Sequence, residues 1–174
     1  MGSGFSAVRR PGMTSVERRD GRKMSSSAAC PIHRFPVRVY YEDTDAAGLV
    51  YYANYLKFAE RARTKMLRRL GVEQERLRAE TGLVFVVRRC AADYLLPARL
   101  DDDLVVETRL KALGGASLDL DQDVRRGDAL LVRLVFQIAC LGQSGRPQRL
   151  PPVLRSALNS LNDTATRMVT AHAR

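Results

Sequence analysis

With 174 residues, 45% of them hydrophobic, the chain is long enough for one domain with a proper core, and no apolar run reaches the ~18 residues that a membrane helix needs. The net charge of +10 is uneven: residues 1–38 hold eight Lys/Arg against two Asp/Glu, and the smaller excess that remains suits either a polyanionic ligand or ordinary solubilising charge. Three cysteines without CxxC spacing and only two histidines, His33 and His172, argue against a disulfide framework, a zinc ribbon and most His-dependent catalysis.

Residues 1–33 are rich in Gly, Ser, Arg and Ala and lack a hydrophobic period, so they read as a disordered basic leader. The leader has no apolar stretch of a secretory signal. A transit peptide and an internal start at Met13 or Met24 are further readings. His33 stands at its edge. Cys90 and Cys140 fall in apolar segments and read as buried small hydrophobes, which fits a reducing, cytoplasmic setting.

The folded part is expected over residues 34–162, with a tail over 163–174. Arg34–Tyr41 alternates and ends in β-branched and aromatic residues, which predicts a strand. The polar break EDTDAAG follows. Over Leu49–Leu70, Tyr52, Tyr55, Leu56, Ala59, Ala62, Met66 and Leu70 recur at spacings of three and four, which predicts a long helix. Basic residues crowd its last turns and Gly71 stops it. Lys57, Glu60, Arg61, Lys65, Arg68 and Arg69 form its opposite face, most simply a solvated one.

A short helix is expected over Val72–Thr81. Four strands then follow, over Leu83–Tyr94, Asp103–Leu113, Ala116–Arg125 and Ala129–Leu141. Gly114–Gly115 and Arg126–Gly127–Asp128 supply turns of hairpin length. Pro151–Asn162 reads as a last helix. An antiparallel sheet wrapped around one long helix is the simplest assembly, an α+β architecture. Its open edges are most economically paired with a second copy.

The chemistry concentrates in Tyr40–Tyr55, YYEDTDAAGLVYYANY. Asp43, Asp45 and Gly48 stand at a strand-to-helix junction. The free N–H groups and partial positive charge of a helix start can hold a carbonyl oxygen as it turns negative. A carboxylate just ahead of them can attack the carbonyl or activate water. Capping and turn formation call for the same residue types, so pattern alone leaves both readings open.

The stretch Val37–Gly71 resembles the hydroxybenzoyl-CoA thioesterase superfamily, most closely its Tol–Pal-associated acyl-CoA thioesterase branch. FVVRRC, DYLLPARLDDDL and ASLDLDQ extend the likeness to about Pro151. The resemblance implies a hotdog fold, assembly as a homodimer or homotetramer, and hydrolysis of acyl-CoA to free acid and CoA without metal or organic cofactor. It places the catalytic carboxylate on Asp45 and the carbonyl-polarising backbone amide on Tyr52. Asp43 becomes a supporting turn residue, and Gly48 and Asn54 shape the pocket.

The Tol–Pal-associated branch usually carries His where this chain has Tyr52. A backbone amide survives that change, but any proton transfer by the His does not. Coenzyme A carries phosphates that call for Arg or Lys, and Arg88 and Arg89 are the candidates on one strand, with Lys111, Arg125 and Arg126 at strand ends. Two rivals stand beside this reading. One is a non-hydrolytic hotdog acyl-CoA-binding or dehydratase-like protein. The other is a binding module whose basic leader meets anionic lipid or nucleic acid. No specific nucleic acid and no transmembrane segment are expected.

Overall fold

The computed structural model describes residues 32–160. The leader up to residue 31, the end of the last helix and the tail over 163–174 lie outside the described residues, as do Cys30 and His172.

Strand β1 (His33–Arg38) leads into a 3-10 turn at Tyr41–Asp43 and then helix α1 (Asn54–Arg69). Helix α2 (Gln74–Thr81) follows, then β2 (Val84–Tyr94), β3 (Asp103–Leu113), β4 (Ser117–Arg126) and β5 (Ala129–Leu141). A final helix, α3, occupies 152–160. The strands form one antiparallel sheet in the order β1-β3-β4-β5-β2. This is the α+β hotdog architecture, with α1 lying against one sheet face.

The pleat sorts the residues of β3 and β4. Leu104, Val106, Thr108 and Leu110 of β3, with Leu118, Leu120, Gln122 and Val124 of β4, are all buried. They share one core with Phe58, Ala59, Ala62 and Met66 of α1. The alternate residues Glu107, Arg109, Asp121, Asp123 and Arg125 carry ion pairs on the other face.

Besides element ends that shift, with β1 closing at Arg38 rather than Tyr41 and α2 opening at Gln74 rather than Val72, the structure departs from the sequence expectation in four places. Helix α1 starts at Asn54, not Leu49. Thr44, Leu49 and Val50 are drawn into bridge pairing instead, Thr44 with Val50 and Leu49 with Arg99, around a turn at 46–48, which keeps this segment out of the helix. His33 is no leader residue: it opens β1, is 8% exposed, and its Nδ1 lies 3.4 Å from Nη1 of Arg69. Cys90 is exposed because β2 is an edge strand, whereas Cys140 on β5 is buried as expected. Arg63 is 5% exposed on the sheet-facing side of α1, a position with no polar reading in the helical period.

Arg63 is the centre of a buried polar seam. Its Nη1 donates to Gln122 Oε1 at 2.7 Å, its Nη2 pairs with Glu60, and its guanidinium lies 4.0 Å above the Phe136 ring. Gln122 in turn donates to Ala59 O and Thr108 Oγ1. Side chains from α1, β3, β4 and β5 therefore meet with their polar atoms paired, as burial requires. Among the described residues no helix is long and apolar enough to cross a membrane.

Candidate active site

The polar break between β1 and α1 folds into a tight, internally bonded loop. Asp43 supports it from below. It is 4% exposed, its Oδ2 accepts from Tyr40 N at 2.9 Å, and its carbonyl accepts from Tyr51 N at 2.9 Å and from Asn54 Nδ2 at 2.8 Å. Asn54 is thus buried beneath the loop, not part of a cavity wall. Gly48 is also absent from the wall. It takes φ +70° at the loop tip, a left-handed backbone that a Cβ disfavours, and an added Cβ would meet nothing within 4 Å. Its contribution is conformational rather than a close approach to a ligand.

Asp45 stands above this base. Its Oδ1 accepts from Ala47 N at 2.8 Å and Leu49 N at 3.4 Å, while its own N–H donates to Leu49 O. One carboxylate oxygen therefore fixes the loop. The other, Oδ2, has no hydrogen-bond donor among the described residues and the side chain is exposed. Capping and an open carboxylate coexist in one residue.

Asp45 lines a cavity of about 370 Å³. Tyr51, Tyr52 and Tyr55 form one side of it, and Tyr94, Leu95, Leu96 and Pro97 the other, so Asp45 is the only carboxylate in an aromatic and aliphatic wall. Tyr52 precedes the helix by two residues. Its N–H meets no acceptor among the described residues, while the amides on either side of the turn, Tyr51 N and Asn54 N, are both taken. A free amide and a free carboxylate oxygen thus belong to residues of one cavity.

The tyrosines hold each other in place. Tyr94 Oη donates to Tyr52 O at 3.2 Å, and its ring stands edge-on to Tyr52 at 6.4 Å and to Tyr55 at 5.9 Å. Tyr55 Oη accepts from Ala98 N at 2.9 Å, fastening α1 to the segment after β2. Burial pushes the Tyr55 and Tyr94 phenols above the ordinary value, which keeps both neutral. Tyr94, Leu95, Leu96 and Pro97 were not singled out as site residues from the sequence. The signal was the DYLLPARLDDDL run, whose site role depends on a contact between segments forty residues apart.

The phosphate candidates fare differently. Arg88 and Arg89 are exposed on the edge strand, and neither lines the Asp45 cavity. Arg88 is the extra residue of a bulge, since register passes from Val87 to Arg89. Lys111, Arg125 and Arg126 are engaged with Asp121, Glu107 and Asp102. Among the described residues, no group of three or more His, Cys, Asp or Glu is placed to hold a metal ion.

Residues 39–158 match the model of the thioesterase-like superfamily. The acyl-CoA thioesterase YbgC of Haemophilus influenzae is 45% identical over 129 residues, covering 73% of this chain and 94% of that protein. The acyl-CoA thioester hydrolase YbgC of Escherichia coli O157:H7 is 43% identical over 122 residues, 69% of this chain and 90% of its own. The crystal structure of a probable thioesterase from Bartonella henselae superposes with a TM-score of 0.67 at 38% identity, over 69% of this chain and 99% of that one.

Proposed function

Because the chain belongs to the thioesterase-like superfamily, in the branch of the YbgC acyl-CoA thioesterases, we propose that it hydrolyses an acyl-CoA thioester to the free acid and CoA with Asp45 as its catalytic carboxylate. The observation that carries this is that two residues lining one cavity, Asp45 and Tyr52, bring to it an open carboxylate oxygen and an N–H without an acceptor among the described residues.

The thioester carbonyl oxygen takes the Tyr52 N–H, which is worth most as that oxygen becomes negative. Asp45 either attacks the carbonyl carbon, giving an anhydride that water opens, or deprotonates the attacking water. Coenzyme A leaves as a thiolate. A thiol of pKa roughly 8.5 departs without a strong general acid, so the missing His at position 52 does not stop the reaction, and neither a metal nor an organic cofactor takes part. Gly48, Asn54 and Asp43 hold the loop in shape.

The protein works as a homodimer or homotetramer. Support comes from β2, eleven residues long and bonded to β5 on one side only. Val86 and Val87 on it are 38% and 47% exposed. A long edge with apolar side chains invites pairing, and a second copy supplies it. Arg88 and Arg89 would then lie at that junction. A cytoplasmic location fits the free thiols of Cys90 and Cys140.

A dehydratase-like reaction needs a His at the carboxylate, and the described histidine, His33, packs beside Arg69 outside the cavity. The test is free-thiol release from acyl-CoAs that differ in chain length and ring content. Hydrolysis of at least one class is expected. Saturable binding of acyl-CoA with no thiol released would turn the reading to a carrier.

A further inference from the structure

Charges on the described surface are treated in two ways. On the sheet face turned from α1, cations answer anions: Arg34, Arg109 and Arg125 all reach Glu107, and Arg109, Arg125 and Arg133 reach Asp123. Helix α1 differs. Its outward face carries Lys57, Arg61, Lys65 and Arg68, all exposed, and among the described residues none of the four forms an ion pair. The one acid on this helix, Glu60, is tied to buried Arg63.

At 3.6 residues per turn the four cations occupy about a quarter of the helix circumference and run about 16 Å along it. Like charges one turn apart repel. Arg68 is explained by the helix C-terminus, where cations are favoured. Lys57 is not: it stands in a first turn without any acid, where the helix dipole opposes it. A purely solvated face accounts for exposure but not for a row of one sign.

We propose that this stripe docks the protein onto an anionic lipid bilayer. A straight, convex row of cations needs a partner whose negative charges can rearrange to meet it, and a fluid surface of anionic headgroups does so. Clusters of about four to eight Lys/Arg on an amphipathic helix are the signature of such surfaces. The one aromatic among them, Phe58, is 0% exposed beneath Arg61, so the row presents no ring for stacking on nucleic-acid bases. Tyr51 and Tyr52, 45% and 58% exposed, lie at the N-terminal end of the same helix, and tyrosine is enriched at the bilayer–water boundary. None of the four cations lines the Asp45 cavity, whereas Tyr51 and Tyr52 do, so the test of this inference changes cations alone.

The experiment is sedimentation of the full chain with vesicles of phosphatidylcholine alone and of phosphatidylcholine with phosphatidylglycerol. The Lys57→Glu/Arg61→Glu protein is compared with Arg146→Glu/Arg149→Glu, which changes net charge equally on an exposed loop elsewhere. An acid at position 57 is favoured near the helix start, position 61 is exposed, and circular dichroism checks that the variant stays folded. Each basic residue near an anionic bilayer contributes about fivefold in affinity. Preference for anionic vesicles is therefore expected in the wild type and in the loop variant, with at least a tenfold loss in the α1 variant and unchanged turnover of soluble substrate. Equal loss in both variants, or no loss in either, overturns the proposal. So does a duplex DNA probe that binds more tightly than the vesicles and loses that affinity in the α1 variant. A raised KM for acyl-CoA with vesicle binding intact would give the stripe to the coenzyme's phosphates and equally overturn it.

Discussion

Replacing Arg63 by Met strips a buried charge from the seam between α1 and the sheet while keeping a long side chain in place. The wild-type guanidinium bonds Gln122 Oε1 at 2.7 Å, and Gln122 is 0% exposed. Orphaning that oxygen costs about 1–3 kcal/mol. Loss of the desolvated contact above Phe136, at 4.0 Å, costs about 2 kcal/mol. The Glu60 pair adds little, because the Glu60 side chain is 53% exposed and rehydrates. Relief from burying a guanidinium and the apolar area of Met offset part of this. A net loss of about 2–3 kcal/mol is expected, read as a fall of about 1 M in the urea midpoint with an unchanged slope. Protein concentration must be held constant in case subunits dissociate. Arg63→Met/Gln122→Leu/Thr108→Val should recover at least half of the loss, since neither the Gln122 oxygen nor the Thr108 hydroxyl is then left orphaned. A single variant as stable as wild type, or a triple variant weaker than the single, would refute the seam as described.

Gly48→Ala should cost about 1 kcal/mol from left-handed strain alone, because the new Cβ meets no atom within 4 Å; thermal unfolding measures it, and an unchanged midpoint speaks against strain at the loop tip. Tyr94→Phe removes the 3.2 Å bond to Tyr52 O but keeps the ring, so kcat should fall about tenfold with KM unchanged, consistent with a hydrogen bond of roughly 0.5–1.5 kcal/mol; a change in KM alone would point to the acyl pocket instead. Acidification should weaken the fold in two stages. Burial, Arg69 and Lys65 hold the His33 imidazole below 6.5, so its neutral form stabilises the fold above 6.5 and that gain fades as pH falls through the lowered value. Burial alone would raise the Glu107 carboxyl, but Arg34 and Arg109 outweigh it and hold it below 4.5, so its contribution is present above 4.5 and lost as pH falls further. Urea midpoints measured against pH for His33→Phe and Glu107→Gln should each lack one stage.

The strand segments and the long helix were legible because burial imposes period two and period three-to-four on the sequence. Asp103–Leu113 and Ala129–Leu141 coincide with β3 and β5 residue for residue. The start of α1 was not legible: Leu49 and Val50 continue the apolar pattern, yet long-range pairing with Arg99 and Ala98 claims them for extended structure. Arg63 was missed because its burial depends on Gln122 and Phe136, far away in sequence. Asp45 and Tyr52 were found from a local run, whereas the opposite wall, Tyr94 to Pro97, takes its role only when the sheet closes on the helix.

Asp45→Asn tests the account most directly. Asn keeps an oxygen able to accept from Ala47 N, so the loop and its folding signature in circular dichroism should survive, while the nucleophilic or basic oxygen is gone. The kcat for thiol release from the best acyl-CoA is predicted to fall about 10³-fold, in the range lost when a positioned acid–base group is removed. A folded Asp45→Asn protein that releases thiol at the wild-type rate would contradict it.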